Sequence, residues 1–309
     1  MRVNLLEDKE VLKQAILKLK EKKKAVILAH NYQIPEIQEL ADFLGDSLEL
    51  AKVSTNISSN LIVFCGVRFM AETAKLLSPQ KEVLLPVLSA DCPLAEMITP
   101  QQLLQLKREN SQHWVVSYVN TYASIKALSD VCCASANAVK IVKNIPAEKI
   151  IFVPDKNLGW WVKENVPHKE IIIWQGFCYI HEQFSLDDFE KAKKIYPDAE
   201  VIVHPECRPE LLKRADFVLS TSGMLKRAKE SKAKRFIIGT EEGLIYRLKR
   251  ENPDKEFYSL GAVRICLNMK KTTLRELYLC LEKEIYPIRL DKDLIEKARI
   301  PLERMVNFV

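Results

Sequence analysis

The chain has 309 residues, of which 48% are hydrophobic and 28% charged, and its formal net charge is +6. This composition supplies enough apolar surface for a core and excludes a disordered chain. At about 150 residues per domain, the length predicts about two domains, or more if they are small. No apolar run reaches the ~18 residues of a membrane span, and the charged N-terminus lacks a signal-peptide core. We therefore expect a cytoplasmic protein without membrane contact.

The charge pattern and the cysteines narrow the classes of function. Lysine and glutamate are interspersed without a basic block, so the positive charge suits small anionic ligands better than nucleic acid. Eight cysteines in a long chain without a secretion signal are not a disulfide framework. We expect each cysteine to be buried, catalytic or bound to metal.

Taken in chain order, the predicted elements repeat three times. Each unit reads as strand, helix, short strand, helix, strand, helix, strand, and the first strand AVILAH corresponds to WVVSY and EVIV in the later units. Equivalent positions lie 88 and then 86 residues apart. Short, continuously apolar strands that alternate with helices are typical of buried parallel sheets with right-handed crossovers.

This repeat predicts the fold class and the domain organisation. We expect an α/β fold of three homologous three-layer (αβα) parallel-sheet lobes, arranged with pseudo-threefold symmetry around a central active site. The lobes are predicted at residues 1–95 (with an N-terminal helix), 96–182 and 183–272. Residues 273–309 are predicted to be helical and to pack back on the lobes.

Three sets of polar residues recur at the same repeat steps. Two sets lie at the end of the first strand of each unit, and one lies where the helix after the second strand begins. The sets are His30, Tyr118 and His204; Tyr32, Asn120 and Glu206; and Ser47, Ser135 and Thr221. Parallel sheets bind ligands at the carboxyl ends of their strands, and an N-cap hydroxyl with free amides binds anions. Each residue alone is more often a structural histidine or a helix cap, but the shared register predicts one common cavity.

Three cysteines keep the repeat and five do not. Cys92, Cys178 and Cys266 each follow the fourth strand of a unit. Three thiolates without a fourth fit an iron–sulfur cluster whose open iron acts as a Lewis acid, with a catalytic zinc or three buried thiols as alternatives. The cysteines without equivalents are predicted to be buried core residues. These are Cys65, Cys132, Cys133, Cys207 and Cys280.

Long and chemically unusual motifs over nearly the whole chain resemble the quinolinate synthases, the A proteins of the bacterial and archaeal route to NAD. They include ILAHNYQIPEIQELAD, DVCCASANAV, FVPDKNLG, WQGFCYIHE and VIVHPEC. The resemblance implies three α/β lobes around a central [4Fe–4S] cluster, in agreement with the repeat. It also implies a transferase-type condensation of iminoaspartate with dihydroxyacetone phosphate, which loses phosphate and two waters to give quinolinate.

The resemblance implies roles for the repeated residues as well. Cys92, Cys178 and Cys266 resemble the ligands of one [4Fe–4S] cluster per chain, with one iron open to substrate. The acid–base set is His30, Tyr32, His204 and Glu206, as expected for a reaction made of proton transfers. The substrate-binding set is His30, Ser47, Tyr118, Asn120, Ser135, His204, Glu206 and Thr221. Ser222 and His181 have weaker claims as residues near the site.

Other readings of the same residues remain open. A [4Fe–4S] hydro-lyase acting on a di- or tricarboxylate would use the same groups without a triose phosphate. A non-catalytic iron–sulfur sensor of an anionic metabolite would need the binding groups but not so many acid–base residues. For the synthase, we expect functional coupling to an aspartate-oxidising enzyme that supplies iminoaspartate. Trp160 and Trp161 are bulkier than we expect for the family, and we interpret them as core residues, with a contact between domains as the alternative.

Overall fold

The computed structural model describes residues 8–307. It contains three four-stranded parallel sheets flanked by helices, which confirms the predicted α/β class with three αβα lobes. The strand order within each sheet is second, first, third, fourth, counted along its own unit. The repeat in the sequence is therefore a repeat of structure.

The elements follow the predicted order in all three units. The first unit contains α1 (Lys9–Lys23), β1 (Ala25–His30), α2 (Pro35–Leu40), β2 (Phe43–Gly45), α3 (Ser47–Asn56), β3 (Leu61–Cys65), α4 (Arg68–Leu77) and β4 (Glu82–Leu84). The second contains α5 (Pro93–Glu96), α6 (Pro100–Glu109), β5 (Trp114–Tyr118), α7 (Ala123–Lys126), β6 (Val131–Cys133), α8 (Ala138–Asn144), β7 (Lys149–Val153), α9 (Lys156–Asn165) and β8 (Glu170–Ile173). The third contains α10 (Leu186–Ile195), β9 (Glu200–Val203), α11 (Pro209–Leu212), β10 (Phe217–Val218), α12 (Thr221–Glu230), β11 (Arg235–Gly239), α13 (Gly243–Glu251) and β12 (Glu256–Ser259). Two further helices close the chain, α14 (Leu274–Lys283) and α15 (Lys292–Asn307).

The same side-chain contact fixes the first strand of every sheet. An aspartate just before the second strand accepts the backbone N–H of a residue within the first strand, at 2.7 or 2.8 Å. The three pairs are Asp42 with Ile27, Asp130 with Val115, and Asp216 with Val201. Because a carboxylate–amide bond is charge-assisted, it sets the start of each strand firmly.

The first two lobes share one hydrophobic core, and the third lobe has cores of its own. Ile62 of the first sheet and Ile150 of the second belong to one continuous cluster, whereas Phe236 of the third sheet belongs to another. All three side chains are fully buried, which contributes roughly 1.5–3 kcal/mol each to folding. Helix α15 packs on α4, α7 and β6, and it therefore bridges the first two lobes.

The two adjacent tryptophans join neighbouring lobes. Trp160 and Trp161 lie on α9 of the second unit, are half-buried, and pack against the core of the third lobe. They pack on a hydrophobic core, as we interpreted them, and that core belongs to the neighbouring lobe. Large aromatic rings at a lobe boundary bury apolar area between two surfaces that are otherwise polar.

Among the helices of residues 8–307, none is both long enough and apolar enough to cross a membrane.

Candidate functional site

One cavity lies where strand ends of the three sheets meet. Its volume, which includes the opening to solvent, is about 670 Å³. The structure brings all twelve residues predicted from the repeat into its lining, while their roles remain predictions. These residues are His30, Tyr32, Ser47, Cys92, Tyr118, Asn120, Ser135, Cys178, His204, Glu206, Thr221 and Cys266. His181, Asp46, Glu241 and Met269 line the same cavity.

The two strand-end histidines are held in the same tautomer. His30 Nδ1 accepts the N–H of Tyr32 at 3.2 Å, and His204 Nδ1 accepts the N–H of Glu206 at 3.3 Å. Burial lowers the pKa of His30 to about 4 and that of His204 to about 3, so both rings are neutral at pH 7. A neutral imidazole that accepts at Nδ1 carries its proton on Nε2. Both rings can therefore donate a hydrogen bond into the cavity from Nε2.

A chain of polar contacts links two residues of the predicted acid–base set. Glu206 Oε2 lies 2.7 Å from His181 Nδ1, although off the direction of the ring N–H, and His181 Nε2 lies 2.8 Å from Thr240 Oγ1. Thr240 Oγ1 is in turn 2.6 Å from the hydroxyl of Tyr32. All of these groups are buried except Tyr32, which is partly buried. The chain gives His181, a weaker candidate from the sequence, a defined position between Glu206 and Tyr32.

The charge states at the two ends of this chain differ. Burial raises the pKa of Glu206, but His181 beside it has the opposite effect, and the pKa is lowered to about 2 overall. Glu206 is therefore ionised at neutral pH. Burial raises the pKa of Tyr32 well above its ordinary value, so its hydroxyl keeps its proton. The geometry thus places a proton acceptor at one end and a proton donor at the other.

The repeated hydroxyls line the cavity, but they are not the helix caps that we expected. The caps of α3 and α12 are Asp46 and Ser220, so Ser47 and Thr221 occupy the first helical positions. Ser135 lies two residues before Asn137, the residue that precedes α8. The N-cap prediction is wrong because a neighbouring polar residue takes the capping position.

Freed from capping, two of these hydroxyls bond to other lobes. Thr221 Oγ1 accepts from the side-chain amide of Asn31 at 2.9 Å, and Ser135 Oγ lies 3.2 Å from His204 Nε2. Asn120 donates to Glu206 Oε1 at 3.3 Å, another contact between lobes. The predicted binding groups therefore already contact one another across the lobe boundaries.

The eight cysteines are all free thiols. The three that recur in the repeat differ in exposure from the five that do not. Cys92, Cys178 and Cys266 are partly exposed to the cavity, whereas the five cysteines without equivalents are fully buried. The backbone N–H of the residue three positions after each cavity cysteine acts to lower the pKa of that thiol. Burial nevertheless raises the pKa of all three thiols, to about 12 for Cys92. A bound cation is what would make them thiolates, because coordination deprotonates a thiol.

The donor set fits an iron–sulfur cluster better than a single zinc. Soft sulfur donors are typical cluster ligands. In the described range, the only three metal-binding donors within 4.8 Å of one another belong to Cys178, His181 and Glu206. The three sulfurs are therefore too far apart for one zinc, whose ligands lie within ~4.6 Å of each other at 2.3 Å bonds.

Two buried carboxylates that the sequence analysis missed hold the cysteine loops. Asp155 Oδ2 accepts the N–H of Cys178 at 3.2 Å, and Glu241 Oε1 accepts that of Cys266 at 3.0 Å. Each carboxylate also accepts a backbone N–H at the start of the following helix. Lys270 lies 2.9 Å from Glu241 Oε1. The signal was available, because Asp155 and Glu241 lie 86 residues apart, one of the repeat steps.

Buried donors hold two of the turns that follow the first strands. In the first and second lobes a side chain donates to two carbonyls of that turn, and it stands at the same repeat position in both. The contacts are Gln38 to the carbonyls of Asn31 and Gln33, and Lys126 to the carbonyls of Val119 and Thr121. The equivalent residue of the third lobe is Leu212, which is buried and apolar. Strand-end residues of the first two lobes are thus positioned by polar side chains behind them.

Comparison with known proteins gives one consistent answer. Residues 14–307 match the model of the family described as quinolinate synthetase A protein. A quinolinate synthase of Caldicellulosiruptor bescii is 54% identical over 298 residues, which cover 96% of this chain and 98% of that protein. The quinolinate synthase of Thermodesulfovibrio yellowstonii is 52% identical, with 96% and 98% covered, and that of Aquifex aeolicus is 48% identical, with 98% of each covered.

Proposed function

This chain belongs to the quinolinate synthetase A protein family, and from that premise we propose how its central cavity makes quinolinate. The chain is an enzyme that acts on small molecules. In the proposal, these are iminoaspartate and dihydroxyacetone phosphate, which the enzyme condenses with loss of phosphate and two waters. The reaction forms a carbon–carbon bond and is of the transferase class. The three lobes, in the same proposal, surround the cavity with pseudo-threefold symmetry.

Cys92, Cys178 and Cys266 are the proposed ligands of one [4Fe–4S] cluster. Their partial exposure to the cavity and their wide spacing support this assignment. When bound, such a cluster supplies one iron without a protein ligand, which polarises an oxygen of the substrate as a Lewis acid.

The contact chain from Glu206 to Tyr32 is the observation that carries the proposed acid–base chemistry. Glu206, ionised and facing the cavity, accepts a proton from a substrate carbon, as the isomerisation of a triose requires. Tyr32, which keeps its proton, donates to a departing hydroxyl. His181 and Thr240 lie between the two residues and fix how far apart the proton acceptor and the proton donor stand.

The remaining polar groups are proposed to hold the anionic ends of the substrates. Ser47, Ser135 and Thr221 present hydroxyls, and His30 and His204 present N–H donors, to the same cavity. Tyr118 and Asn120 add a phenol and an amide beside Glu206. Carboxylates and phosphate accept hydrogen bonds from all of these groups, and charge-assisted bonds are the strong ones.

The setting in the cell follows from the chemistry as part of the same proposal. Eight free cysteines and a cluster held by thiolates suit a reducing compartment, so we place the enzyme in the cytoplasm. Iminoaspartate hydrolyses readily because it is an imine. We therefore propose functional coupling to an aspartate-oxidising enzyme that produces it nearby.

Metal analysis and product analysis together test the proposal. Protein purified without oxygen is expected to contain about four iron and four sulfide per chain. Cys178→Ala is expected to lose the cluster and the activity, whereas Cys65→Ala, a matched change at a fully buried cysteine outside the cavity, retains both. Quinolinate formation is expected to need both substrates, and a hydro-lyase would not need the triose phosphate. Zinc in place of iron, or an intact cluster in Cys178→Ala, would overturn the assignment.

A further inference from the structure

A second, open groove lies beside the central cavity, with a volume of about 1620 Å³. We call it the lysine groove. It is lined by residues of α3, α8, α12 and the segments next to them, which are the elements that carry the three repeated hydroxyls of the cavity. Its lining includes Glu49, Ser135, Lys140, Lys143, Trp161 and Lys226.

Only a thin wall separates the lysine groove from the cavity. Ser135 lines both spaces, so the wall is one side chain thick at that point. A second contact crosses the wall, because Ser222 of the groove donates to Asp46, whose carboxylate lines the cavity. The groove and the cavity therefore share Ser135 and are linked by the contact between Ser222 and Asp46.

The charge of the groove is unbalanced. Lys140 and Lys143 stand three residues apart on α8, where side chains share a helix face, and Lys226 stands on α12. All three are exposed, and no described residue forms an ion pair or hydrogen bond with their ammonium groups. The one carboxylate in the lining, Glu49, accepts the N–H of Asp46 in a capping box. Three lysines without partners are thus left to face solvent around one opening.

We propose that the lysine groove is the entry and first docking site for the anionic substrates, those that carry a phosphate or two carboxylates. The inference rests on the proposed function, which makes both substrates anions. A cluster of positive charge at a concave surface raises the local concentration of anions and the rate at which they associate. Anions gathered in the groove arrive directly at Ser135, which belongs to the proposed binding set.

The association rate of dihydroxyacetone phosphate tests this inference without turnover. It is measured by stopped-flow fluorescence for the wild type, for the triple variant Lys140→Gln, Lys143→Gln, Lys226→Gln, and for a control triple variant. The control is Lys18→Gln, Lys194→Gln, Lys249→Gln, which removes the same charge from exposed lysines that do not line the groove. Because all six side chains are exposed, both variants should fold.

We expect the groove variant to associate about tenfold more slowly than wild type at 10 mM ionic strength, where the Debye length is ~30 Å. The difference should shrink to less than about twofold near 1 M salt, where that length is ~3 Å. The value of kcat should not change, because these lysines do not line the cavity. Equal effects in both triple variants, or none in the groove variant, would overturn the groove and leave the proposed function intact. No association with wild-type protein would overturn both, whereas association without quinolinate formation would overturn the proposed function alone.

Discussion

The first and third lobes stabilise opposite halves of the site. In the first lobe Gln38 holds the turn after the first strand, while the position behind the cysteine loop is occupied by Val67. In the third lobe Leu212 stands at the turn position, and Glu241 holds the cysteine loop. The order of the strands is the same in both lobes, so the choice of supported segment depends on these buried side chains.

The second lobe has both supports. Lys126 donates to the turn, and Asp155 accepts from the cysteine loop. A buried polar side chain is costly unless it is bonded, so each one must improve what it contacts enough to be kept. The comparison teaches that the turn and the cysteine loop can be supported independently of each other. The first and third lobes each have one of the two supports, and the second lobe has both.

The largest effect is expected at Glu206, on the turn of the third lobe, where Leu212 stands in place of Gln38 and Asn157 of the second lobe donates to the Glu206 carbonyl. Glu206→Gln should lower kcat by roughly 10²–10⁴-fold, the usual contribution of a general base, because the amide cannot accept the substrate proton. Iron content should not change. Glu182→Gln is the matched control, since Glu182 contacts Lys156 and Asn157 outside the cavity lining. A normal kcat in Glu206→Gln would remove it from the acid–base set.

A second prediction concerns the carboxylates behind the cysteine loops, which are replaced by valine, the residue that the first lobe has at this position. Asp155→Val or Glu241→Val should make iron loss to a chelator about 10–100-fold faster, since residues that orient metal ligands contribute that much to affinity. The larger loss is expected for Glu241→Val, which also leaves Lys270 without its carboxylate.

Each carboxylate also bonds the start of a helix, so a control is needed that removes a helix cap but no contact with a cysteine loop. Thr99→Ala removes the cap of α6, a helix whose cap touches none of the three cluster cysteines. It should lower the free energy of unfolding by about 1 kcal/mol while iron retention stays unchanged. Equal iron retention in all three variants would show that Val67 supports its loop as well as a carboxylate does.

The smallest effect is expected when Lys126 is replaced. Burial lowers the pKa of Lys126 from 10.5 to about 8, so between these values the unfolded chain binds more protons than the folded protein. Stability from this residue therefore rises with pH, by about 2 kcal/mol between pH 7 and 9.5. Lys126→Met should lack this rise, as measured by denaturant unfolding at both pH values against wild type.

Lys126→Gln imitates the first lobe and provides a second measurement. Its amide can still donate to the turn, as Gln38 does, so kcat should stay closer to wild type than in Lys126→Met. An unfolding free energy with the same pH dependence in wild type and Lys126→Met would show that Lys126 does not titrate in this range.

The repeat made most of the fold and the lining of the cavity predictable. Apolar strands at fixed steps gave the sheets, and polar residues at strand ends had to meet because parallel strands end on one edge. The caps were predicted wrongly, because Ser47 and Asp46 are adjacent and either could cap the helix. The contact chain through His181 and Thr240 depends on how the three lobes face one another, and the spacing of residues within one lobe does not contain that information.

The buried side chains that hold the turns and the cysteine loops were also difficult to predict from the sequence. Asp155 and Glu241 share a repeat step, but the first lobe has valine there, so a search for identical residues in all three units passes over them. Gln38 and Lys126 also share a repeat step but differ in residue type, so only the carbonyls that they contact reveal their common role. The lysine groove depends on the approach of helices from different lobes, which needs the three-dimensional structure.

The aspartates that fix the first strands have a practical consequence for experiments on this molecule. Asp42, Asp130 and Asp216 make one contact in three surroundings, with bond lengths that agree within 0.1 Å. The protein thus contains its own replicates: one substitution can be repeated twice in the same polypeptide, under the same buffer and assay. Any spread among the three results measures the influence of the surroundings alone, a quantity that comparisons between separate proteins cannot isolate.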